Sequence, residues 1–164
     1  MASRVTSFVY DLFFLVLSRP AIGKHLKAVS HYSYFPGNPP PRWPEGQTDL
    51  TYAFDLNFPD SFVPLVVSAF DEWASGSGYF TFSKVADIMT SNLKISFQIL
   101  YHGDKVPNVI DFKRVALHEI GHLHKLGRSQ YQEAIMWESF PPGMVKDKLT
   151  LDDIQRIKVL YGLN

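Results

Sequence analysis

His118, Glu119 and His122 carry the most specific chemical signal in the chain, within the pentad His118-Glu119-Ile120-Gly121-His122. On a helix, residues four apart lie one turn above each other. Both imidazoles can therefore aim at one point and bind the same zinc ion. Glu119 projects about 100° further around the helix, beside that point, where its carboxylate can take a proton. Zinc lowers the pKa of a water it coordinates towards roughly 7 and polarises a nearby carbonyl, so the trio suits hydrolysis. Taken alone, the pentad also fits an amphipathic helix whose histidines are merely solvated or hydrogen-bonded.

A helix must position this trio. Asp111 is placed to cap one running to about His124, with Phe112, Val115, Ala116, Ile120 and Leu123 as its apolar side. Upstream, residues 48–58 alternate with period two through Leu50, Tyr52, Phe54, Leu56 and Phe58, which reads as a half-buried strand. Asp60 or Ser61 can cap a helix to about Ser75, with Phe62, Val66, Ala69, Phe70 and Trp73 at helical spacing. Strands are expected over 79–85 and 93–100. A last helix is capped by Thr150, with Asp153 three residues on, and closes at Gly162; its expected face is Leu151, Ile154, Ile157 and Tyr161. Lys146 to Lys148 reads as a solvated loop, and Trp43, Trp73 and Trp137 as core or rim aromatics. The order of elements predicts an α+β domain with a twisted sheet backed by three helices.

With 164 residues the chain has the length of one domain and can bury a sizeable core. It holds no cysteine, so disulfides, cysteine-based zinc sites and a cysteine nucleophile are excluded. Sixteen basic residues balance sixteen acidic ones, which argues against a general nucleic-acid binder. The apolar run 8–17 is too short to span a bilayer, and with Ala21-Ile22-Gly23 behind it suits a signal peptide over residues 1–23. A strand or helix of the domain is the other reading of that run. Residues 24–44 end in a stretch rich in proline, expected as an extended linker, and residues 45–164 form the domain.

Several ordered segments resemble the matrixins, the matrix metalloproteinase family of metzincins, and particularly their plant members. Residues 118–129 (HEIGHLHKLGRS) are similar to the family's HExGHxxGxxHS segment, and Ala134-Ile135-Met136-Trp137 to its methionine turn. Pro41-Arg42-Trp43-Pro44 with Leu50-Thr51-Tyr52, Phe70-Asp71-Glu72-Trp73-Ala74 and residues 149–162 are similar to its first strand, first helix and closing helix. The resemblance implies a metzincin-type domain with a twisted mixed sheet and three helices. It implies a secreted, extracellular zinc endopeptidase acting on protein or peptide substrates, without a stable membrane span. It assigns His118 and His122 as zinc ligands, Glu119 as general base and Met136 as the methionine beneath the metal.

The chain also departs from that pattern. The third ligand position is Arg128, which has no lone pair to offer a metal. His124 is the nearest substitute, but it lies about 200° around the helix from His122 and reaches the metal only if the helix ends early; otherwise it is expected as a solvated histidine. The family's helix-breaking glycine is Lys125, and Glu138 replaces the proline usual after the methionine turn. His102 and Asp104 resemble two ligands of the family's structural zinc site, yet only thirteen residues separate Asp104 from His118. The domain is thus expected to be shortened between the third strand and the zinc helix, with structural zinc and calcium sites lost and the substrate-pairing edge strand missing. The family's inhibitory prodomain cysteine has no counterpart. Two functions follow as expectations: a zinc endopeptidase with a weakened metal site, or a non-catalytic relative or truncated product that lost it.

Overall fold

The computed structural model describes residues 10–17, 42–100, 111–137 and 144–163. In chain order the elements are β1 (Tyr10–Leu17), β2 (Asp49–Phe54), a 3-10 turn (Asp60–Phe62), α1 (Val63–Ser77), β3 (Thr81–Lys84), β4 (Leu93–Leu100), α2 (Phe112–Leu123) and α3 (Leu151–Tyr161). This is an α+β arrangement of three helices and a small sheet.

The sheet has the order β1-β4-β2-β3. All three pairings among the described strands are parallel, so the mixed sheet expected from the resemblance is not seen in them. Geometry explains the β2–β3 pair at one edge: β2, α1 and β3 form a crossover unit, and a helical crossover returns the chain parallel to where it began. β2 stops at Phe54, earlier than the alternation suggested, because the chain turns there. Asp55 accepts the Asn57 amide through its side chain at 2.9 Å, and its carbonyl accepts Phe58 N. Leu56 consequently faces solvent rather than the core. The N-terminal apolar run, read from sequence as a signal peptide or a strand, is strand β1 here, with Tyr10 opposite Leu93 and Leu17 opposite Leu100.

α1 begins later than expected. Neither Asp60 nor Ser61 caps it; the 3-10 turn precedes it, Phe62 holds the N-cap position, and Pro64 sits in the first turn, where its missing N–H costs nothing. Val66, Ala69, Phe70, Trp73 and Ser77 form its buried stripe. Phe70 stacks on Tyr52 of β2 with ring centroids 4.5 Å apart, and Phe62 stacks on Phe112 of α2 at 4.1 Å. Such aromatic pairs tie the sheet, α1 and α2 into one core.

α2 starts where the sequence placed it. The Asp111 side chain accepts the Arg114 amide at 3.1 Å and so satisfies one of the helix's unpaired donors. Ten of its twelve residues are buried, including Arg114, His118 and Glu119, so the helix is enclosed nearly all round. Two tryptophans fasten it: Trp73 Nε1 donates to Leu117 O at 2.8 Å and Trp43 Nε1 to Leu123 O at 3.1 Å. Trp43, at the end of the sequence-predicted linker, thus belongs to the core. Gly162, with φ 67, closes α3 as expected. On α3 Ile157 and Asp153 are fully buried and Ile154 and Tyr161 half-buried, so the expected face holds except at Leu151, which is exposed.

Candidate functional site

The C-terminus of α2 decides where the site's loop goes. Helical bonding ends at Leu123, Lys125 adopts φ 66, Lys125 N donates to His122 O at 2.9 Å, and Leu126 N reaches back to Gly121 O at 3.1 Å. That pair of bonds is a Schellman closure, normally built on glycine at the left-handed position. Lysine makes the turn here without glycine, and the chain returns past the histidines as a glycine would let it.

His118 and His122 face each other with Nε2 atoms 3.1 Å apart. Each ring is fixed from behind: His118 Nδ1 is 2.8 Å from Ile135 O, and His122 Nδ1 is 2.9 Å from Leu126 O. A carbonyl can only accept, so both Nδ1 atoms carry the proton and both Nε2 atoms present lone pairs. Burial and the positive charge of Arg128 hold both imidazoles below their ordinary pKa, His118 down to about 3. Two neutral rings therefore point two lone pairs at each other, an arrangement that a cation between them would satisfy. Zinc–nitrogen bonds of about 2.0–2.1 Å meeting at the tetrahedral angle put their nitrogens about 3.3 Å apart, close to the observed spacing. These two residues fit a metal.

Glu119 is 2 % exposed and its Oε1 has no hydrogen-bond partner. Burial raises its carboxyl pKa to about 8, and the Arg128 charge partly opposes this. A cation nearby would favour the carboxylate and ready it to accept a proton.

The other sequence-predicted residues divide sharply. Arg128 is exposed, and its positive charge is felt at His118, Glu119 and His122. His124, expected to be solvated or to substitute for the third ligand, is fully buried against Trp73, Phe80 and Phe82, with centroids 5.3, 4.6 and 5.6 Å away. The aromatic core claims it because two residues past His122 the helix turns that position inward. His102, Asp104 and Glu138 lie outside the described residues. Among the described residues, no group of three or more His, Cys, Asp or Glu side chains is placed to hold a metal.

Met136 is fully buried, and its sulfur lies against Gly121 of α2. The turn carrying it is held by a residue expected only to help cap a helix. Asp153 accepts Ile135 N at 3.0 Å, Met136 N at 3.1 Å and Thr150 N at 2.9 Å, and Thr150 Oγ1 at 2.7 Å. One buried carboxylate thus joins the start of α3 to the peptide whose carbonyl orients His118. The available signal was aspartate in a capping-box position usually given to glutamate or glutamine; a shorter side chain there keeps its carboxylate close to the backbone.

Among the described residues, no helix is long and apolar enough to cross a membrane. The matrixin family model matches residues 105–162, which include α2, the methionine turn and α3. The chain is 33% identical to the metalloendoproteinase 2-MMP of Arabidopsis thaliana, with 85% of this chain and 47% of that protein covered. It is 32% identical to the metalloendoproteinase 5-MMP of the same plant, covering 87% of this chain and 51% of the relative. With metalloendoproteinase 1 of Glycine max it shares 32% identity, over 83% of this chain and 57% of that one. The chain therefore spans about half the length of the curated relatives it matches. The first alignment runs over 183 positions, more than the chain's 164 residues, so that relative has residues without counterpart here.

Proposed function

The chain carries a divergent matrixin domain, of a family of metalloendopeptidases, and on that premise we propose that it is a zinc-dependent endopeptidase with a two-histidine metal site. The observation that carries the proposal is the pair of Nε2 atoms 3.1 Å apart, each ring locked by a backbone carbonyl, together with the buried carboxyl of Glu119, next in sequence to His118, whose Oε1 has no hydrogen-bond partner. Zinc, when bound, would supply a Lewis acid and make an attacking water more acidic. The protein's share is then specific. His118 and His122 would hold the ion, Glu119 would accept the water's proton and pass it to the departing amine, and the enclosed helix would keep these side chains in place. With two protein ligands instead of the usual three, affinity for the ion is expected to be low.

Arg128 favours a second reading. A permanent positive charge beside the two histidines opposes a dication, and a relative that kept the core while losing catalysis would look like this. The shortening expected from the sequence between β4 and α2 would also remove the family's substrate-pairing edge. Cleavage of an unstructured protein by the purified chain, with Glu119→Gln as control, separates the readings. Zinc-dependent cleavage abolished by Glu119→Gln supports the enzyme; zinc-loaded protein with no cleavage supports the second reading.

Export to the extracellular space completes the proposal; it rests on the sequence of the apolar run before Ala21-Ile22-Gly23 and requires that this run, which pairs with β4 as β1, be cleaved from the mature chain. N-terminal sequencing of the protein made in plant cells would test it, since a mature chain that retains residues 10–17 contradicts it.

A further inference from the structure

Lys146 was expected in a solvated loop, but it is half-buried and reaches three parts of the site's frame. Its backbone N donates to Asp111 Oδ2 at 2.9 Å, on the carboxylate that caps α2. Its ammonium donates to Gln132 O and, at 3.1 Å, to Ala134 O. The same ammonium lies 5.4 Å from the centre of the Trp137 ring, within cation–π range. The methionine turn is therefore gripped from both sides. Asp153 takes its N–H groups at Ile135 and Met136, and Lys146 takes carbonyls at Gln132 and Ala134. The Ile135 carbonyl, which sets the His118 ring, belongs to the peptide whose N–H Asp153 holds and comes next along the chain after the Ala134 carbonyl that Lys146 holds.

We propose that Lys146 is a positioning residue: by fixing the Gln132–Ala134 carbonyls it aims the Ile135 carbonyl at His118 Nδ1 and so holds Nε2 towards His122. A residue that fixes the tautomer of a metal-binding histidine contributes to the site although it never touches the ion. The metal part of this inference rests on the two-histidine reading above; the tautomer part does not.

The test uses the full chain as wild type, Lys146→Met and Lys146→Arg. In metal-free protein at about pH 8, imidazole nitrogen NMR should find His118 of the wild type protonated at Nδ1 alone. Lys146→Met should give mixed His118 tautomers and weaken zinc binding about tenfold, and Lys146→Arg, which keeps two donors, should restore both. If Lys146→Met does not fold, Lys146→Gln, which keeps a donor, provides the same comparison in smaller amplitude. An unchanged His118 pattern overturns the proposal, even with a lowered melting temperature, because that outcome marks an anchor that transmits nothing to the ring. If the wild type binds no zinc, the metal reading falls and the tautomer comparison alone decides the role of Lys146.

Discussion

The sulfur of Met136 rests on the bare backbone of Gly121, at the place where any larger residue would carry its Cβ. Trp73 closes the same spot from α1, with Cζ2 3.0 Å from that position. The glycine of the histidine pentad is thus a packing requirement: it lets the methionine turn and Trp73 approach the helix between the two histidines. Gly121→Ala gains helix propensity, yet Met136 would have to move away. Overpacking of this kind costs about 1–3 kcal/mol, which should outweigh the gain. Urea denaturation would measure it, and a variant as stable as the wild type would mean the turn yields freely.

Lys125 holds a left-handed backbone that ordinary side chains adopt at a cost of about 1–2 kcal/mol. Lys125→Gly removes that strain but gives the unfolded chain more freedom. Thermal unfolding should therefore show a modest net stabilisation of about 0.5–1 kcal/mol. Destabilisation would mean that the lysine side chain contributes more than its backbone costs.

Arg128→His should raise zinc affinity by itself. The chain already turns back at Lys125, so restoring glycine there is not needed to bring position 128 beside the histidines. The substitution removes a charge that acts on His118, Glu119 and His122 and offers a third nitrogen. Competition with a chromophoric chelator should show a gain of at least about tenfold. No gain would show that the return loop holds residue 128 out of the ion's reach.

Acid should weaken the fold in a way that His124 partly controls. Burial lowers its pKa to about 3 in the folded protein, against 6.5 for a free imidazole, and neither ring nitrogen has a hydrogen-bond partner. Below 6.5 the unfolded chain binds a proton that the folded one refuses. The contribution is therefore complete above 6.5 and is lost as pH falls from 6.5 towards about 3. His124→Phe, placed among Trp73, Phe80 and Phe82, should flatten part of that slope in urea denaturation series across pH. An identical slope in the variant would place the acid sensitivity elsewhere, with His118 the next candidate because its pKa is lowered in the same direction.

Much of this was legible in sequence, for reasons that can be named. α2 and α3 were readable because their caps are local chemistry: Asp111 on Arg114 N, and Thr150 with Asp153. The pair His118 and His122 was readable because helix geometry fixes where residues four apart go. What escaped depends on tertiary partners. Nothing local to His124 announces the aromatics that enclose it, and nothing local to Lys146 announces the carbonyls of Gln132 and Ala134. The second role of Asp153, in the methionine turn, lies eighteen residues from Ile135 along the chain. The parallel pairing of β1 with β4 depends on residues more than eighty positions apart, beyond the reach of any periodicity.

Zinc binding to the purified, metal-free chain tests the central claim most directly, read by calorimetry together with metal analysis after gel filtration. The expected result is one zinc per chain, bound weakly, easily removed by a chelator, and lost in His118→Asn and His122→Asn. Stoichiometric zinc that survives either substitution, or wild-type binding no stronger than that of the two variants, would contradict the two-histidine site.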